Sequence, residues 1–283
     1  MEEQVRSEGK CLFCGKTFAK AGINRHLATH LREKSTGEKS GNSFLVKVET
    51  CKRWGTTPYF LSLWIDGEAT MENFDSFLRG IWLECCGHMS AFIDPESRKS
   101  GGGMFDLMYD FDDDKEDDED FDEDEDFDED EDFDEDYEDF DENDEDFDPF
   151  MEDLPGQIPM SRKAKDVLYK GKVLNYEYDF GSTTELSITV MEQYPMKADQ
   201  KIILLSRNEP PKIMCSDCGK EPATQICSVC MYSDIAIFCA KCAKKHAKKC
   251  AGFADGASLP VVNSPRTGVC AYEGGIIDTE RDT

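Results

Sequence analysis

No apolar run in this 283-residue chain approaches the ~18 residues that a membrane-crossing helix needs. The stretches FLSLWI and IAIFCA are strand-sized. The opening residues, MEEQVRSEGK, lack the apolar core of a secretory signal, so the expectation is a cytoplasmic chain with no membrane partner. No phosphate loop, dinucleotide fingerprint or zinc-protease motif is present, and no small-molecule substrate suggests itself. Basic residues all but vanish from 106–153, where Lys115 stands alone against 33 Asp and Glu. That block sums to -32, so the formal -29 of the chain leaves +3 for everything else. The global charge therefore describes one segment and says little about the remainder.

Histidine is also scarce, with four in all, but three of the four fall in metal-ligand spacings together with nine of the thirteen cysteines. In a chain with no export signal, such spacings read as metal binding in a reducing compartment rather than as a disulfide framework. The first group is Cys11, Cys14, His26 and His30, within CLFCGKTFAKAGINRHLATH. Phe18 and Ile23 occupy the small-core positions of a two-Cys-two-His ββα finger, which the segment resembles over about 25 residues. A lone finger reads about 3 base pairs, so protein contact or added phosphate affinity is as good an expectation as base reading.

The second group lies in CSDCGKEPATQICSVCMYSDIAIFCAKCAKKHAKKC. Cys215/Cys218, Cys227/Cys230, Cys239/Cys242 and His246/Cys250 are four ligand pairs, too many for one tetrahedral ion and suited to two. One arrangement is a cross-brace, with Cys215, Cys218, Cys239 and Cys242 on one ion and Cys227, Cys230, His246 and Cys250 on the other; sequential pairing is the alternative. Three Zn2+ sites are thus expected. Because so short a unit has little core, bound metal supplies its folding energy, about 10–16 kcal/mol each. Four protein ligands per ion leave no open position, which points to structural zinc.

If 239–250 is helical, Lys241, Lys244, Lys245, Lys248 and Lys249 cover an arc of about 140°, with Cys242, His246 and Cys250 on another side. These lysines are the candidate nucleic-acid contacts; the competing reading is a solvated surface.

The rest divides by composition into seven parts: a finger at 1–32, a linker at 33–42, and a first core segment at 43–97. An acidic disordered insertion follows at 98–160, a second core segment at 161–212, the Cys-rich module at 213–250, and a closing segment at 251–283. The fold class is α+β, a small antiparallel sheet of about five strands with one main helix. That helix has Phe74, Phe77, Leu78, Ile81, Trp82 and Cys85 on one face, Thr70 as N-cap and Gly87 as terminator. A hairpin follows later, with Leu174, Tyr176, Tyr178 and Phe180 facing inward on its first strand. In the acidic block a six-residue unit begins at Phe121, Phe127 and Phe133. Its roles would be a spacer, a docking strip for a basic protein, or an internal decoy for the chain's own basic faces.

The segments DGEATMENFDSFLRGIWLECCGHMSAF, YEYDFGSTTELSI and LPVVNSPRTGVCAYEGG resemble the plasmid pRiA4b ORF-3-like family, insertion-element passenger proteins of the TnpR type. The resemblance implies a small α+β domain with no assigned chemistry. YDFGSTTEL departs from the acidic residue and Trp-Glu-His that many members show after the glycine.

The leading function is non-enzymatic binding to nucleic acid or a nucleic-acid-associated protein. One alternative is a protein–protein adaptor with structural zinc only. The other is an enzyme using Cys86 and His88 of ECCGH as a thiol–imidazole pair, set against the reading that Cys85 is a buried core thiol. Glu177 and Asp179 would be metal candidates or simply a polar strand face.

Overall fold

The computed structural model describes residues 7–35, 40–51, 58–98, 156–231 and 235–282. The acidic block of 106–153 lies outside them. The chain begins as a ββα unit, β1 (Glu8–Lys10), β2 (Thr17–Ala19) and α1 (Lys20–Lys34). The core follows with β3 (Ser43–Thr50), β4 (Phe60–Asp66) and α2 (Met71–Leu78), which runs into one π-helical turn at Arg79–Leu83. Next come β5 (Ser90–Ile93), α3 (Pro95–Arg98), β6 (Gln157–Ile158), α4 (Ala164–Val167), β7 (Val173–Tyr178), β8 (Thr184–Tyr194) and β9 (Ile202–Arg207). The Cys-rich part holds β10 (Gln225–Cys227), β11 (Ile237–Phe238), α5 (Ala240–His246), α6 (Ala251–Ala254) and β12 (Ser258–Pro260). Among the described residues no helix is long and apolar enough to cross a membrane.

The fold is α+β around a seven-stranded antiparallel sheet in the order β6-β5-β7-β8-β3-β4-β9. It has two strands more than expected, because β5 and β6 are too short to show an alternating pattern. Strand β6 also moves 156–160 from the expected insertion into the core: Phe92 pairs with Ile158, and the Asp94 amide donates to the Gly156 carbonyl at 2.8 Å. The chain thus leaves the sheet beyond α3 and re-enters beside its own point of departure.

Strand alternation sorts β3 onto two faces. Phe44, Val46 and Val48 join Leu61, Leu63 and Ile65 of β4 on one side, where α2 packs through Phe74, Leu78, Ile81 and Trp82. Thr70 caps α2 as expected, reciprocally with Asn73. Gly87 does not terminate it: the helix stops at Leu83 and Glu84 is already extended, although Gly87 keeps a positive φ of 77° in the loop beyond. Leu174, Tyr176 and Tyr178 face the core, but Phe180 is exposed, because β7 ends at Tyr178 and Asp179 turns left-handed at φ 63°.

Leu45, Phe60, Trp64 and Leu205 point to the other face, and α1 covers them with Ile23, Leu27 and Leu31, each fully buried. Each such side chain contributes roughly 1.5–3 kcal/mol. Asn24 on the same face accepts from the Ser62 hydroxyl at 2.8 Å. The finger is therefore a layer of the core, although the sequence suggests an appended module. Its backbone ties include Leu12 N–H to the Leu205 carbonyl, Glu209 N–H to the Glu8 carbonyl and an antiparallel bridge between Gly9 and Asn208. Helix α1 also takes Glu33 and Lys34 from the expected linker.

The Cys-rich module extends beyond 250, since β12 pairs with β10 to complete a three-stranded sheet, β11-β10-β12. The chain then returns to the core. Two fully buried arginines hold it there: Arg207 binds Asp282 and the Asn263 carbonyl, and Arg266 binds Asp179. The Gly80 carbonyl accepts from the amides of Ile276 and Ile277, and Ser264 Oγ donates to the Trp82 carbonyl at 2.7 Å. Backbones meet so closely here that a Cβ on Gly275 would lie 2.5 Å from the Ile81 oxygen.

Candidate metal centres and a lysine-bearing face

Among the described residues four groups of Cys and His bring their donor atoms within 4.8 Å of one another inside each group, and three of them are the groups that ligand spacing anticipates. In the finger, Cys11 follows β1, Cys14 lies in the connecting turn, and His26 and His30 sit one turn apart on α1. Their closest donors are Cys14 Sγ to His26 Nε2 at 3.2 Å and His26 Nε2 to His30 Nε2 at 3.1 Å. Gly15, at φ 74°, closes the turn by donating its amide to the Cys11 carbonyl. Phe18 stacks on His26 at 4.1 Å between centroids. Burial raises the Cys11 pKa, so a thiolate there needs a cation beside it. Burial, with His30 and Lys16 nearby, lowers the pKa of His26, favouring the neutral imidazole that can donate to a metal.

The eight donors of the Cys-rich module divide as a cross-brace. Cys215, Cys218, Cys239 and Cys242 form one group, and Cys227, Cys230, His246 and Cys250 form the other. Sequential pairing is not what the chain adopts, because α5 lies between the groups and feeds both: Cys242 belongs to the first and His246, one turn on, to the second. Neighbouring sulfurs are 4.0 Å apart for Cys218–Cys239 and for Cys227–Cys250, and 3.9 Å for Cys230–Cys250.

In the first group burial opposes the Cys215 thiolate, but amides of Cys239, Cys218 and Asp217 outweigh it and lower the pKa to about 6. In the second, Cys250 precedes α6 and its pKa is lowered chiefly by the Phe253 amide. His246 is held between Phe238, stacked at 4.3 Å, and Phe253, edge-on at 5.0 Å. Its Nε2 is buried and has no hydrogen-bond partner. A ring nitrogen of His246 lies within 4.8 Å of the three sulfurs. A buried imidazole with an unsatisfied nitrogen beside three thiols is a donor set that suits a soft divalent ion, so these residues fit zinc.

The segment 239–250 is not one helix. Helix α5 has seven residues, and a turn carries Lys248 and Lys249 to Cys250. Lys241, Lys244, Lys245, Lys248 and Lys249 are nevertheless all exposed, while Cys242 and Ala243 turn inward.

Sequence reasoning did not anticipate the fourth group, Cys85, Cys86, His88 and Cys270. Its first three members follow the π turn, and Cys270 arrives on the returning C-terminal segment. Cys86 Sγ lies 3.0 Å from His88 Nε2, so the anticipated thiol–imidazole pair does form, with Cys270 Sγ 3.5 Å from both. Cys86 is nonetheless the weaker acid: hydrogen bonding to Cys270, then burial, raises its pKa to about 12. His88 and Cys86 lower that of Cys270 to about 7. Cys85 is only partly buried against the core. Asp179 is neither a metal candidate nor part of an outer polar face, because it is buried against Arg266. The one advance signal was the unabsorbed pair of CC and H within ECCGH. Nothing local connects it to Cys270.

Comparisons with known proteins add little. No protein-family model matches the chain, and no curated protein does. A crystal structure of a protein of unknown function from Methanosarcina mazei aligns at 9% identity with a TM-score of 0.32, covering 59% of this chain and 68% of that one.

Proposed function

We propose that this chain is a cytoplasmic, zinc-dependent and non-enzymatic binding protein whose two-zinc module contacts nucleic acid, or a protein bound to it, through Lys241, Lys244, Lys245, Lys248 and Lys249. One observation carries the reading. Six lysines of the finger and core are neutralised, since Lys34, Lys47, Lys163, Lys165, Lys170 and Lys172 sit within ion-pair distance of carboxylates. Among the described residues, the exposed lysines without such a partner outside this face, Lys10, Lys16, Lys197, Lys201, Lys212 and Lys220, are spread along the sequence. The five on the module are exposed and, among the described residues, form no ion pair. A set of unneutralised cations on a metal-braced platform suits phosphate contact, which needs charge and little shape.

Zn2+ would occupy the finger and the two cross-braced groups. The finger itself is a poor base reader: the three positions of such a helix that reach base edges fall on Ala19, Gly22 and Arg25, and the opposite face is buried on the sheet. The kinship with the pRiA4b ORF-3-like family remains part of the proposal. Its support is that parts of the three resembling segments, at Cys85–His88, Tyr178–Asp179 and Arg266–Cys270, pack together. The test is binding of the full chain to a labelled mixed-sequence duplex across a salt series. Affinity falling steeply with salt supports the reading, whereas no measurable binding at low salt returns the chain to a protein–protein adaptor.

A further inference from the structure

We propose that Cys85, Cys86, His88 and Cys270 form a fourth soft-metal site, taking Zn2+ and clamping the C-terminal segment to the end of the core helix. A tetrahedral zinc ion with Zn–S of about 2.3 Å and Zn–N of about 2.0 Å spaces its ligands at about 3.8 Å for sulfur–sulfur edges and about 3.5 Å for sulfur–nitrogen edges. The edges here are 3.8 Å for Cys85–Cys86, 3.5 Å for Cys86–Cys270, 3.5 Å for Cys270–His88 and 3.0 Å for Cys86–His88. They match those of the finger and the cross-braced groups, at 3.1 to 4.0 Å. The set is therefore spaced for an ion although its members are 182 residues or more apart in sequence on the Cys270 side.

Two further features point the same way. Cys270 adopts φ 54° and Asp179 φ 63°, two of the three non-glycine residues with positive φ among those described. A side chain rarely takes that backbone unless something holds it there. The charge balance also fits. Three thiolates around one divalent ion leave a single negative charge, and Arg266, fully buried, places Nη2 3.6 Å from Cys85 Sγ. The same nitrogen donates to Asp179, whose carboxylate also lies 3.5 Å from His88 Nε2, while Nη1 is held by the Ser182 carbonyl and the Thr184 hydroxyl. Tyr178 OH, 3.9 Å from Cys85 Sγ, completes the surround. Such a polar shell is how ligands are oriented and their charge offset. Cys86 and Cys270 are exposed, so the ion would sit at the surface with a direct route to solvent.

The experiment counts zinc per molecule by native mass spectrometry on the full chain and on Cys270→Ser, His88→Ala and His88→Cys. The expected result is that Cys270→Ser and His88→Ala each carry one ion fewer than the parent. His88→Cys, which restores a donor, should keep the parental count and so separate ligation from misfolding. The difference between parent and variant decides the matter, whatever the absolute count at the other three sites. An unchanged count in Cys270→Ser overturns the proposal. So does a parent protein 2 Da light with two fewer titratable thiols, the signature of a Cys86–Cys270 disulfide.

Discussion

Replacing Lys241, Lys244, Lys245, Lys248 and Lys249 by alanine should flatten the salt dependence of nucleic-acid binding while leaving the zinc modules intact. All five side chains are exposed and turned away from Cys242, Ala243 and the donor groups, so truncation removes charge without opening a core. If each contacts one phosphate of a duplex, the slope of log K against log salt is about -4.5, at about -0.9 per contact. Between 50 and 200 mM salt that amounts to a loss of about 500-fold for the parent. The five-alanine variant should lose almost none of its residual affinity over the same interval, and Lys248→Ala alone should reduce the slope by about 0.9. Fluorescence anisotropy with a labelled mixed-sequence duplex measures both, and zinc content by mass spectrometry confirms that the module is still loaded. A parent slope that survives all five substitutions would refute the assignment of the phosphate contacts to this face.

Three other outcomes can be measured. Deleting 106–150 removes most of the -32 block and should strengthen duplex binding at low salt more than at high salt, because a tethered polyanion competes through screened electrostatics; unchanged affinity rules out the decoy role. Leu27→Ala should destabilise the whole core by about 2–5 kcal/mol in chemical denaturation, since Leu27 is fully buried between α1 and the sheet; a melt confined to the finger would contradict the layered packing. Hydrogen bonds from Lys163 and Lys165 depress Glu68 to about 2, so its contribution is present above its unfolded pKa near 4.5 and lost as pH falls towards 2. Glu68→Gln should therefore be less stable than the parent at pH 7, with the gap closing over that acid range. Because the carboxylate is part-exposed, the gap should be small.

Features set by near neighbours in the chain were legible without the fold. The Cys-x-x-Cys turns, the His pair one helical turn apart on α1, the capped start of α2 and the alternating strands β7 and β8 all depend on contacts within a few residues, and each formed where spacing and alternation place it. The short strands β5 and β6 were not legible, because two to four residues carry no period. The same holds for the early end of α2, where the Gly80 carbonyl in the π turn accepts from the amides of the distant Ile276 and Ile277.

Only the tertiary structure decided how the donors are shared. Spacing identifies pairs of ligands, but whether Cys215/Cys218 is completed by Cys227/Cys230 or by Cys239/Cys242 depends on where β10, β11 and α5 bring them. The finger's second role was hidden for a similar reason: an apolar stripe on α1 suits its own small core or a neighbour's sheet equally well, until Leu45, Phe60 and Trp64 are seen to need a cover. Cys270 joined Cys85, Cys86 and His88 through the buried Arg266–Asp179 pair and the backbone contact at Gly80. Long-range packing of that kind leaves no local pattern, because its partners lie far apart in the chain, 87 residues for Asp179 and Arg266 and 182 for His88 and Cys270.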